Sequence, residues 1–211
     1  MHRKISGDGG IAARVRRLFS RPAGHHARCH VCGTPVDTRW TLDSRTGVPT
    51  WDVWRIEAEA ALHRPGGPRA VLLLDLDRFK DVNDEYGHLA GDAVLAAVAG
   101  LLRSSTRAHD LVGRYGGDEF VVLLSAAEDA ETVAHRVARG IRGLVVPVLD
   151  ADGCAVTIRG LSASVGCAPA HGETDLHTLV RRADAAMYAA KRRGARRDRM
   201  PDQQERRLRV G

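Results

Sequence analysis

The chain of 211 residues has few aromatic side chains, few lysines and no long apolar run. Aromatic residues make up 4% of the sequence, and only Lys4, Lys80 and Lys191 are lysine among the 32 Lys and Arg residues. No stretch approaches the roughly 18 consecutive apolar residues of a membrane span. Residues 1–20 carry charges where a secretory signal needs an apolar centre. These absences predict a cytoplasmic protein without a transmembrane segment.

Cysteine occurs at only four positions, too few for a disulfide framework in a chain of this length. Cys29 and Cys32 share a segment of eight residues with three histidines, and Cys and His are the usual ligands of structural zinc. A closed zinc site needs four ligands, however, and no second Cys-x-x-Cys pair follows. We therefore keep zinc at Cys29 and Cys32 as an alternative and prefer a flexible or redox-sensitive segment.

The formal net charge of +6 would suit a polyanionic partner such as nucleic acid. Much of the excess lies near the two ends, around Arg14–Arg17 and from Arg192 to Arg209, where a solvated tail is the simpler interpretation. No nucleic-acid recognition motif and no interleaved aromatic residues accompany the charge. We therefore expect no nucleic-acid partner.

The hydrophobic pattern divides the chain into three parts. Residues 1–42 show no sustained periodicity, and we expect a flexible segment or a small regulatory or dimerisation element there. A single folded domain is expected over residues 43–197, followed by a basic tail over residues 198–211.

Within the folded domain, strand-like and helical patterns alternate. The apolar run Ala70–Leu74 predicts a fully buried strand, while Leu111–Tyr115 and Phe120–Leu124 flank a short glycine-containing turn and predict a β-hairpin. Two further strand-like runs occupy residues 145–149 and 156–168. Helices are predicted at Trp54–His63, Asp92–Arg103, Ala130–Leu144 and Asp175–Arg193. This order indicates an α/β (α+β-like) fold, with a mixed central β-sheet flanked by helices.

Acidic side chains follow the buried strand and occupy the hairpin turn. Asp75 stands at the carboxyl end of the strand, where α/β sheets gather their ligands. Asp118 and Glu119 come directly after Gly116-Gly117, a pair that lets the backbone turn tightly and approach a ligand closely. If the hairpin lies beside the strand, the carboxylates converge and repel one another unless a cation lies between them. Hard oxygen ligands near phosphate suit Mg²⁺.

At these residues the sequence closely resembles the GGDEF family of diguanylate cyclases. The resemblance covers about residues 43–197 and follows the order of the family's motifs. The matching segments are Asp43-Ser44-Arg45-Thr46-Gly47-Val48-Pro49, Asp75-Leu76-Asp77-Arg78-Phe79-Lys80-Asp81-Val82-Asn83-Asp84, Gly87-His88, Gly91-Asp92, Arg114-Tyr115-Gly116-Gly117-Asp118-Glu119-Phe120, Ser164-Val165-Gly166 and Ala183-Asp184-Ala185-Ala186-Met187-Tyr188-Ala189-Ala190-Lys191. So many matches in order argue against a chance resemblance.

The resemblance implies a palm-like nucleotidyl cyclase architecture in which the hairpin carries the loop Gly116–Phe120. It implies two Mg²⁺ ions per active site, with Mn²⁺ as a substitute, held by Asp75, Asp118, Glu119 and the carbonyl of Leu76. Glu119 would either ligate a metal or help to activate the attacking hydroxyl. The implied reaction joins two GTP molecules into cyclic di-GMP and releases pyrophosphate. Each domain holds one GTP, so catalysis requires a homodimer.

The resemblance also assigns residues that bind the substrate. Lys80 and Lys191 would contact the triphosphate, an assignment supported by the scarcity of lysine elsewhere. Asn83 and Asp92 would bind guanine, whose adjacent N1–H and N2–H₂ donors a carboxylate accepts together. Without the family, Asp92 is equally an N-cap of the helix predicted to begin there, and we favour the guanine role. The remaining members of the set are Phe79, His88, Gly116 and Gly117.

Arg107 and Asp110 form an R-x-x-D pattern just upstream of the glycine turn. The pattern resembles the family's inhibitory site, where cyclic di-GMP acts as a product inhibitor. An arginine fork suits phosphate or the acceptor edge of guanine, and an aspartate suits guanine's donors. An arginine of the next helix, Arg136 or Arg139, would complete the site across a dimer, and the sequence does not choose between them.

The sequence departs from the family pattern at a few positions. Arg45 replaces the usual leucine of the opening motif, and Thr50-Trp51 stand where Asn-Arg is common, changes that we expect to affect packing more than chemistry. Ala195 stands where a basic residue usually helps to hold phosphate, and Arg196 or Arg197 would have to replace it.

Two other functions are considered. The first is a catalytically silent domain that binds cyclic di-GMP as a receptor, which the unbroken acidic motif and both lysines argue against. The second is a basic zinc or nucleic-acid adaptor built around residues 1–42.

Overall fold

A computed structural model of the protein describes residues 42–64, 69–126, 129–172 and 175–199, with side chains as far as residue 194. The segment that contains Cys29 and Cys32 lies outside the described residues, as do the tail beyond residue 199 and the side chains of Ala195 and the two arginines after it. What the sequence indicates for these parts stays a prediction.

The described residues form six strands in two sheets and five helices. The strands are β1 (Ala70–Leu76), β2 (Leu111–Arg114), β3 (Glu119–Leu124), β4 (Val146–Leu149), β5 (Ala155–Ile158) and β6 (Ala163–Pro169). The helices are α1 (Trp51–Leu62), α2 (Phe79–Tyr86), α3 (His88–Ser105), α4 (Ala130–Arg142) and α5 (Leu176–Arg199). The central sheet has the strand order β2-β3-β1-β6, and β4 pairs with β5 in a separate hairpin. None of the described helices is long and apolar enough to cross a membrane.

Helices cover both faces of the central sheet, which explains why β1 is an uninterrupted apolar run instead of an alternating one. All seven residues of β1 are buried. Leu72 and Leu74 pack into one core with α3 and α4, while Val71 and Leu73 pack into a second core with α1 and α5. Because successive side chains of a strand point to opposite faces, this single strand contributes to both cores.

The expected fold class is confirmed, but the sheet is less mixed than predicted. β1 pairs with β3 and with β6, and β2 pairs with β3, all in antiparallel fashion. β1 and β2 run in the same direction, as strands joined through a helical connection commonly do, yet β3 lies between them. In the part of the chain that the structure describes, parallel pairing is limited to the bridge between Thr50 and Arg114.

Two element boundaries differ from the prediction in ways that affect the site. α3 begins at His88 rather than at Asp92, so Asp92 lies inside the helix. The run predicted as one strand over residues 156–168 divides into β5 and β6, which belong to different sheets. The division coincides with Gly160, whose φ of 72° is a left-handed conformation that glycine adopts readily.

Candidate active site

The predicted catalytic carboxylates lie where β1 and β3 meet at one end of the central sheet. Asp75, the penultimate residue of β1, is buried and pairs directly with Glu119 of β3. Residues opposite each other on antiparallel strands have their Cβ atoms about 5 Å apart on one face of the sheet. The structure therefore places these two carboxylates side by side, and the antiparallel pairing of β1 with β3 is what does so.

Lys191 of α5 contacts both oxygens of the Asp75 carboxylate. The Nζ atom lies 2.8 Å from Oδ1 and 2.9 Å from Oδ2. The hydrogen bond to Asp75 raises the pKa of Lys191, so the lysine is fully charged at neutral pH. The predicted phosphate-binding lysine thus lies within the carboxylate cluster, where its charge offsets that of Asp75.

Asp118 and Glu119 are partly buried beside this ion pair. Burial, and after it the negative charge of Asp75, raises the pKa of Asp118. Burial also raises the pKa of Glu119, with further contributions from Asp75, Asp118 and Asp184. Burial is the main cause of both shifts and the neighbouring carboxylates add to it, so a bound cation would favour the ionised forms.

The donor set fits a magnesium ion. Asp75, Asp118 and Glu119 offer carboxylate oxygens, and the backbone of Leu76 is linked to the same turn through its N–H, which donates to the Asp118 carbonyl at 3.3 Å. Among the described residues, no three His, Cys, Asp or Glu side chains are arranged to hold a metal. The predicted ligands are Asp75, Asp118, Glu119 and the Leu76 carbonyl, and Lys191 would have to leave Asp75 for a metal to bind there.

Asp77, the other acid after the buried strand, has a structural role. Its two carboxylate oxygens accept hydrogen bonds from the hydroxyls of Ser162 at 2.7 Å and Ser164 at 2.8 Å. Its backbone N–H donates to the Ser162 carbonyl at 2.9 Å. Asp77 thus ties the end of β1 to the start of β6, two residues after Asp75.

The glycine turn is held by an arginine to which the sequence analysis assigned no role. Arg114 donates to the carbonyls of Gly116 at 3.1 Å and Gly117 at 2.5 Å. Its third bond, 2.7 Å long, runs to Oδ1 of Asp43 in the opening motif, and its side chain is only 10% exposed. The signal that could have identified Arg114 is a lone charge at the end of an otherwise apolar strand, two residues before Gly116.

Asp43 in turn receives several hydrogen bonds. Besides Arg114, the backbone N–H and the hydroxyl of Thr46 donate to its Oδ1 atom at 2.9 and 2.7 Å. Burial alone would raise the pKa of Asp43, but the hydrogen bonds from Thr46 and Arg114 and the charge of Arg114 together lower it. The pair therefore connects the opening motif to the turn that carries Asp118.

Gly116 leaves room for the side chain of Glu119. A Cβ atom at this position would lie 2.7 Å from Oε2 of Glu119, so a side chain here would require that carboxylate to move. Neither Gly116 nor Gly117 has a positive φ, and a Cβ at Gly117 would meet open space. The sequence predicted glycine here because of the tight turn. In the structure, the missing side chain of Gly116 instead allows the Glu119 carboxylate to lie close to the backbone.

The residues predicted to bind guanine come together between α2 and α3. A Cβ added to Gly91 would lie 1.9 Å from Oδ1 of Asn83 and 3.2 Å from Cζ of Phe79, so both side chains pack over this glycine. Asp92 follows Gly91 and is half-buried. Because α3 starts at His88, Asp92 is the fifth residue of the helix, and the alternative that it caps the helix is wrong.

Lys80 of α2 and His88 of α3 are exposed. The ammonium of Lys80 pairs with the carboxylate of Asp84 one turn along α2. Asp84 raises the pKa of Lys80, which therefore stays charged. His88 is the first residue of α3, and no contact of its side chain is established. The substrate-binding roles of both residues stay predictions.

The predicted inhibitory residues line a cavity of about 190 Å³ on another part of the surface. The guanidinium of Arg107 donates to the carboxylate of Asp129 at 2.6 Å, and only the backbone N–H of Arg107 donates to Asp110. Asp110 closes its own loop, accepting hydrogen bonds of 2.8 Å from the Arg107 N–H and from the N–H and hydroxyl of Ser125. The lining residues are Arg107, Asp110, Leu124, Ala126, Asp129, Thr132, Val133 and Arg136. Of the two arginines that the sequence left open, Arg136 lines this cavity, and completion of the site across a dimer stays a prediction.

Comparison with known proteins identifies the family. The model described as "Diguanylate cyclase, GGDEF domain" matches residues 40–197. The chain belongs to the GGDEF family. Diguanylate cyclase DosC of Escherichia coli (strain K12) is 37% identical over 189 residues, which cover 89% of this chain and 38% of that protein. Diguanylate cyclase TpbB of Pseudomonas aeruginosa (strain UCBPP-PA14) is 39% identical over 163 residues, or 74% of this chain and 36% of that protein. The chain thus spans less than two fifths of either relative.

Solved structures of GGDEF proteins share the fold. The GGDEF domain of DgcB from Caulobacter crescentus, in complex with c-di-GMP, matches with a TM-score of 0.67 at 26% identity, covering 76% of this chain and 94% of that chain. Diguanylate cyclase SiaD from Pseudomonas aeruginosa, in complex with its activator SiaC, matches with a TM-score of 0.62 at 36% identity, covering 74% and 60%. The expected family and fold are therefore confirmed.

Two departures of this GGDEF domain from the family pattern make visible contacts. The ring of Trp51 stacks on Trp54 at 5.5 Å between centroids and meets Tyr115 edge-on at 4.7 Å. Trp51 thus packs against the residue before the glycine turn, in agreement with a packing role. Arg45 differs, because its Nη1 atom lies 3.3 Å from Oδ1 of Asp92 in the predicted guanine site.

Proposed function

We propose that the protein is a diguanylate cyclase, which condenses two GTP molecules into cyclic di-GMP and pyrophosphate at the interface of a homodimer. The observation that carries the proposal is the cross-strand pairing of Asp75 with Glu119, with Asp118 beside them and the charged Lys191 on Asp75. The intact acidic cluster and the two lysines favour an enzyme over a receptor that only binds cyclic di-GMP, because converging carboxylates are the groups that would hold a catalytic Mg²⁺.

In the proposed reaction, the 3′-hydroxyl oxygen of one GTP forms a bond to the α-phosphorus of the other, and the bond from that phosphorus to the pyrophosphate oxygen breaks. The same exchange with the roles reversed closes the ring. Bound Mg²⁺ would supply charge that stabilises both the attacking and the leaving oxygens. Glu119, whose raised pKa makes it a stronger base, would accept the hydroxyl proton or add an oxygen ligand.

Lys191 would change partners when the substrate binds. Before binding, it compensates the charge of Asp75 at 2.8 Å. Asp75 would then be available to hold a metal, whose charge would replace that of the ammonium, and Lys191, which is half-exposed, would turn to the triphosphate. Lys80 would likewise leave Asp84 for phosphate at the start of α2. Each lysine is thus held near the site by a carboxylate until an anion replaces that partner.

Base recognition would fall to Asp92 and Asn83. The Asp92 carboxylate accepts from N1–H and N2–H₂ of guanine, whereas adenine presents a lone pair at N1. Phe79 and Asn83 form the adjoining wall of the pocket over Gly91. Since this surface holds one guanine, two domains must face each other for the reaction, and a homodimer follows from the proposal.

Purified protein incubated with GTP and Mg²⁺ should yield a product with the mass of cyclic di-GMP. Specific activity should rise with protein concentration wherever dimers are scarce, because only paired domains hold both substrates. ATP in place of GTP should yield little product. The proposal fails if no cyclic di-GMP forms at any protein concentration, and the dimer mechanism fails if a protein shown to be monomeric is equally active at every concentration.

We further propose that cyclic di-GMP inhibits the enzyme by binding at the cavity of Arg107. The cavity offers two arginines and the carboxylate of Asp110, which match the phosphates and the guanine edges of the product. The GGDEF domain of DgcB was solved in complex with c-di-GMP, so the fold accommodates this ligand. Bound product would favour an arrangement of the dimer in which the active sites do not meet.

Arg107→Ala should relieve this inhibition and weaken product binding by about tenfold or more, as expected when a charged hydrogen-bond donor to phosphate is lost. The initial rate without product should change little. Arg136→Ala should behave alike, while Arg139→Ala, which removes an arginine that does not line the cavity, is the matched control. Titration calorimetry and progress curves measure both effects. The proposal is contradicted if the unmodified protein converts its GTP to completion without slowing as cyclic di-GMP accumulates.

A further inference from the structure

The ion pair of Arg45 with Asp92 joins a departure from the family pattern to the predicted base site. The Nη1 atom of Arg45 lies 3.3 Å from Oδ1 of Asp92, and the two side chains are 56% and 32% exposed. Leucine, the usual residue at this position of the family, could not make such a contact. The base site of this chain therefore carries a charge that the family pattern does not supply.

Arg45 is presented by a rigid turn. Asp43 accepts hydrogen bonds from both the N–H and the hydroxyl of Thr46, and the Gly47 N–H donates to the Asp43 carbonyl at 2.8 Å. Gly47 has a φ of 65°, which glycine adopts without strain. From outside the turn, Arg103 of α3 donates to the Thr46 carbonyl at 3.1 Å. Since the turn is anchored on the helix that carries Asp92, the backbone of Arg45 keeps a fixed position relative to that carboxylate.

We propose that Arg45 is a positioning residue for guanine recognition, which fixes the Asp92 carboxylate in the orientation that accepts from N1–H and N2–H₂ together. The inference rests on the proposed function and concerns its specificity. An ionised carboxylate has about four acceptor sites, and a single contact to Oδ1 leaves Oδ2 and part of Oδ1 for the base. Guanine therefore does not have to displace Arg45.

The geometry indicates that guanine can bind without breaking the ion pair of Arg45 with Asp92. A pair that blocked the base would engage both carboxylate oxygens, as Lys191 does at Asp75 with bonds of 2.8 and 2.9 Å. Arg45 makes one longer contact at a largely exposed position, and pairs of this kind contribute little stability.

The test is equilibrium binding, with Mg²⁺, of a GTP analogue in which a methylene group joins the α- and β-phosphorus atoms, so that no product forms. The inosine counterpart, which lacks N2–H₂, is measured in parallel. Arg45→Leu restores the family residue and should weaken the guanine analogue about three- to fivefold, the scale of a partly exposed ion pair. The inosine analogue should weaken less, so the preference for guanine falls. Arg45→Lys should recover part of the loss.

Two comparisons separate positioning from a general effect on the fold. In an Asp92→Ser background, Arg45→Leu should have no further effect, because the residue acts through Asp92. Arg55→Leu, which breaks the ion pair of Arg55 with Glu59 on α1 at 2.8 Å, is the matched control and should change neither affinity.

The inference is overturned if Arg45→Leu binds the guanine analogue as well as, or better than, the unmodified protein. It is also overturned if both analogues weaken equally or if the effect persists without Asp92. If the unmodified protein binds the guanine analogue, each of these results overturns the inference but leaves the proposed function intact. An unmodified protein that binds neither analogue overturns both.

Discussion

Replacing Asp75 or Asp118 with alanine is expected to abolish the formation of cyclic di-GMP while leaving the fold intact. Each variant removes a proposed metal ligand. Even substitutions of residues that only hydrogen-bond to metal ligands reduce activity by about 10–100-fold. We therefore expect a loss of more than about a hundredfold for the ligands themselves. Product formation measured by mass, together with a thermal unfolding curve, tests the two parts of the expectation.

The fold should survive in Asp75→Ala because the partner left behind is accessible to water. Lys191 is 49% exposed, so its ammonium can be hydrated once Asp75 is gone. Asp77→Asn is the matched control, because it changes an acid two residues away whose oxygens are occupied by Ser162 and Ser164. That variant should keep most of the activity. A normal rate in Asp75→Ala or Asp118→Ala would show that the carboxylate cluster does not hold the catalytic metal.

Arg114→Ala is expected to reduce both stability and activity. The substitution removes the bonds to the carbonyls of Gly116 and Gly117 and leaves the Asp43 carboxylate without its cation. Both partners of the pair are at most 20% exposed, and breaking such a pair costs about 3 kcal/mol in the free energy of unfolding. The loosened turn no longer holds Asp118 in place, so we expect turnover to fall by about a hundredfold.

Denaturant unfolding and the rate of product formation measure these two effects. Arg114→Lys should rescue little, because one ammonium cannot replace a planar fork that binds three oxygens. Arg55→Ala, which breaks an ion pair on the surface of α1, should cost less than about 1 kcal/mol. An Arg114→Ala protein as stable and as active as the unmodified one would contradict the role assigned to this arginine.

The same pair predicts a dependence of stability on pH. The folded-state pKa of Asp43 is lowered below its ordinary value of 3.8. A lowered pKa means that the stabilisation is fully present above the unfolded-state value and is lost as the pH falls through the folded-state value. Unfolding measured from pH 5 to pH 2 should show this loss in the unmodified protein and a smaller one in Arg114→Ala.

Several parts of the site follow from the sequence because the information is local. A buried apolar run that ends in Asp75 and a glycine turn followed by Asp118 and Glu119 each occupy a few consecutive residues. The hairpin pattern requires β2 and β3 to pair, and the spacing of the motifs indicates the family. The order of the strands along the chain does not determine which strands are neighbours in the sheet. A mixed sheet was expected, but β3 lies between β1 and β2, and all neighbouring strands are antiparallel.

The contacts that complete the site join residues far apart in the chain. Lys191 reaches Asp75 across 116 positions, and Arg114 reaches Asp43 across 71. No periodicity or local propensity encodes such pairs, because they depend on how helices pack against the sheet. The sequence predicted that both lysines bind phosphate, but only the structure shows that Lys191 is paired with Asp75.

The opening motif shows the same division most clearly. From the sequence, Asp43 and Arg45 are a match to a family pattern and a departure from it, and the departure was expected to affect packing. The structure instead places Asp43 under the glycine turn and Arg45 on Asp92. A short turn can bring its side chains to two separate sites only once α3 and β2 are folded against it. The residue types were therefore determined by the sequence, and their partners by the tertiary packing that brings distant charges within hydrogen-bonding distance.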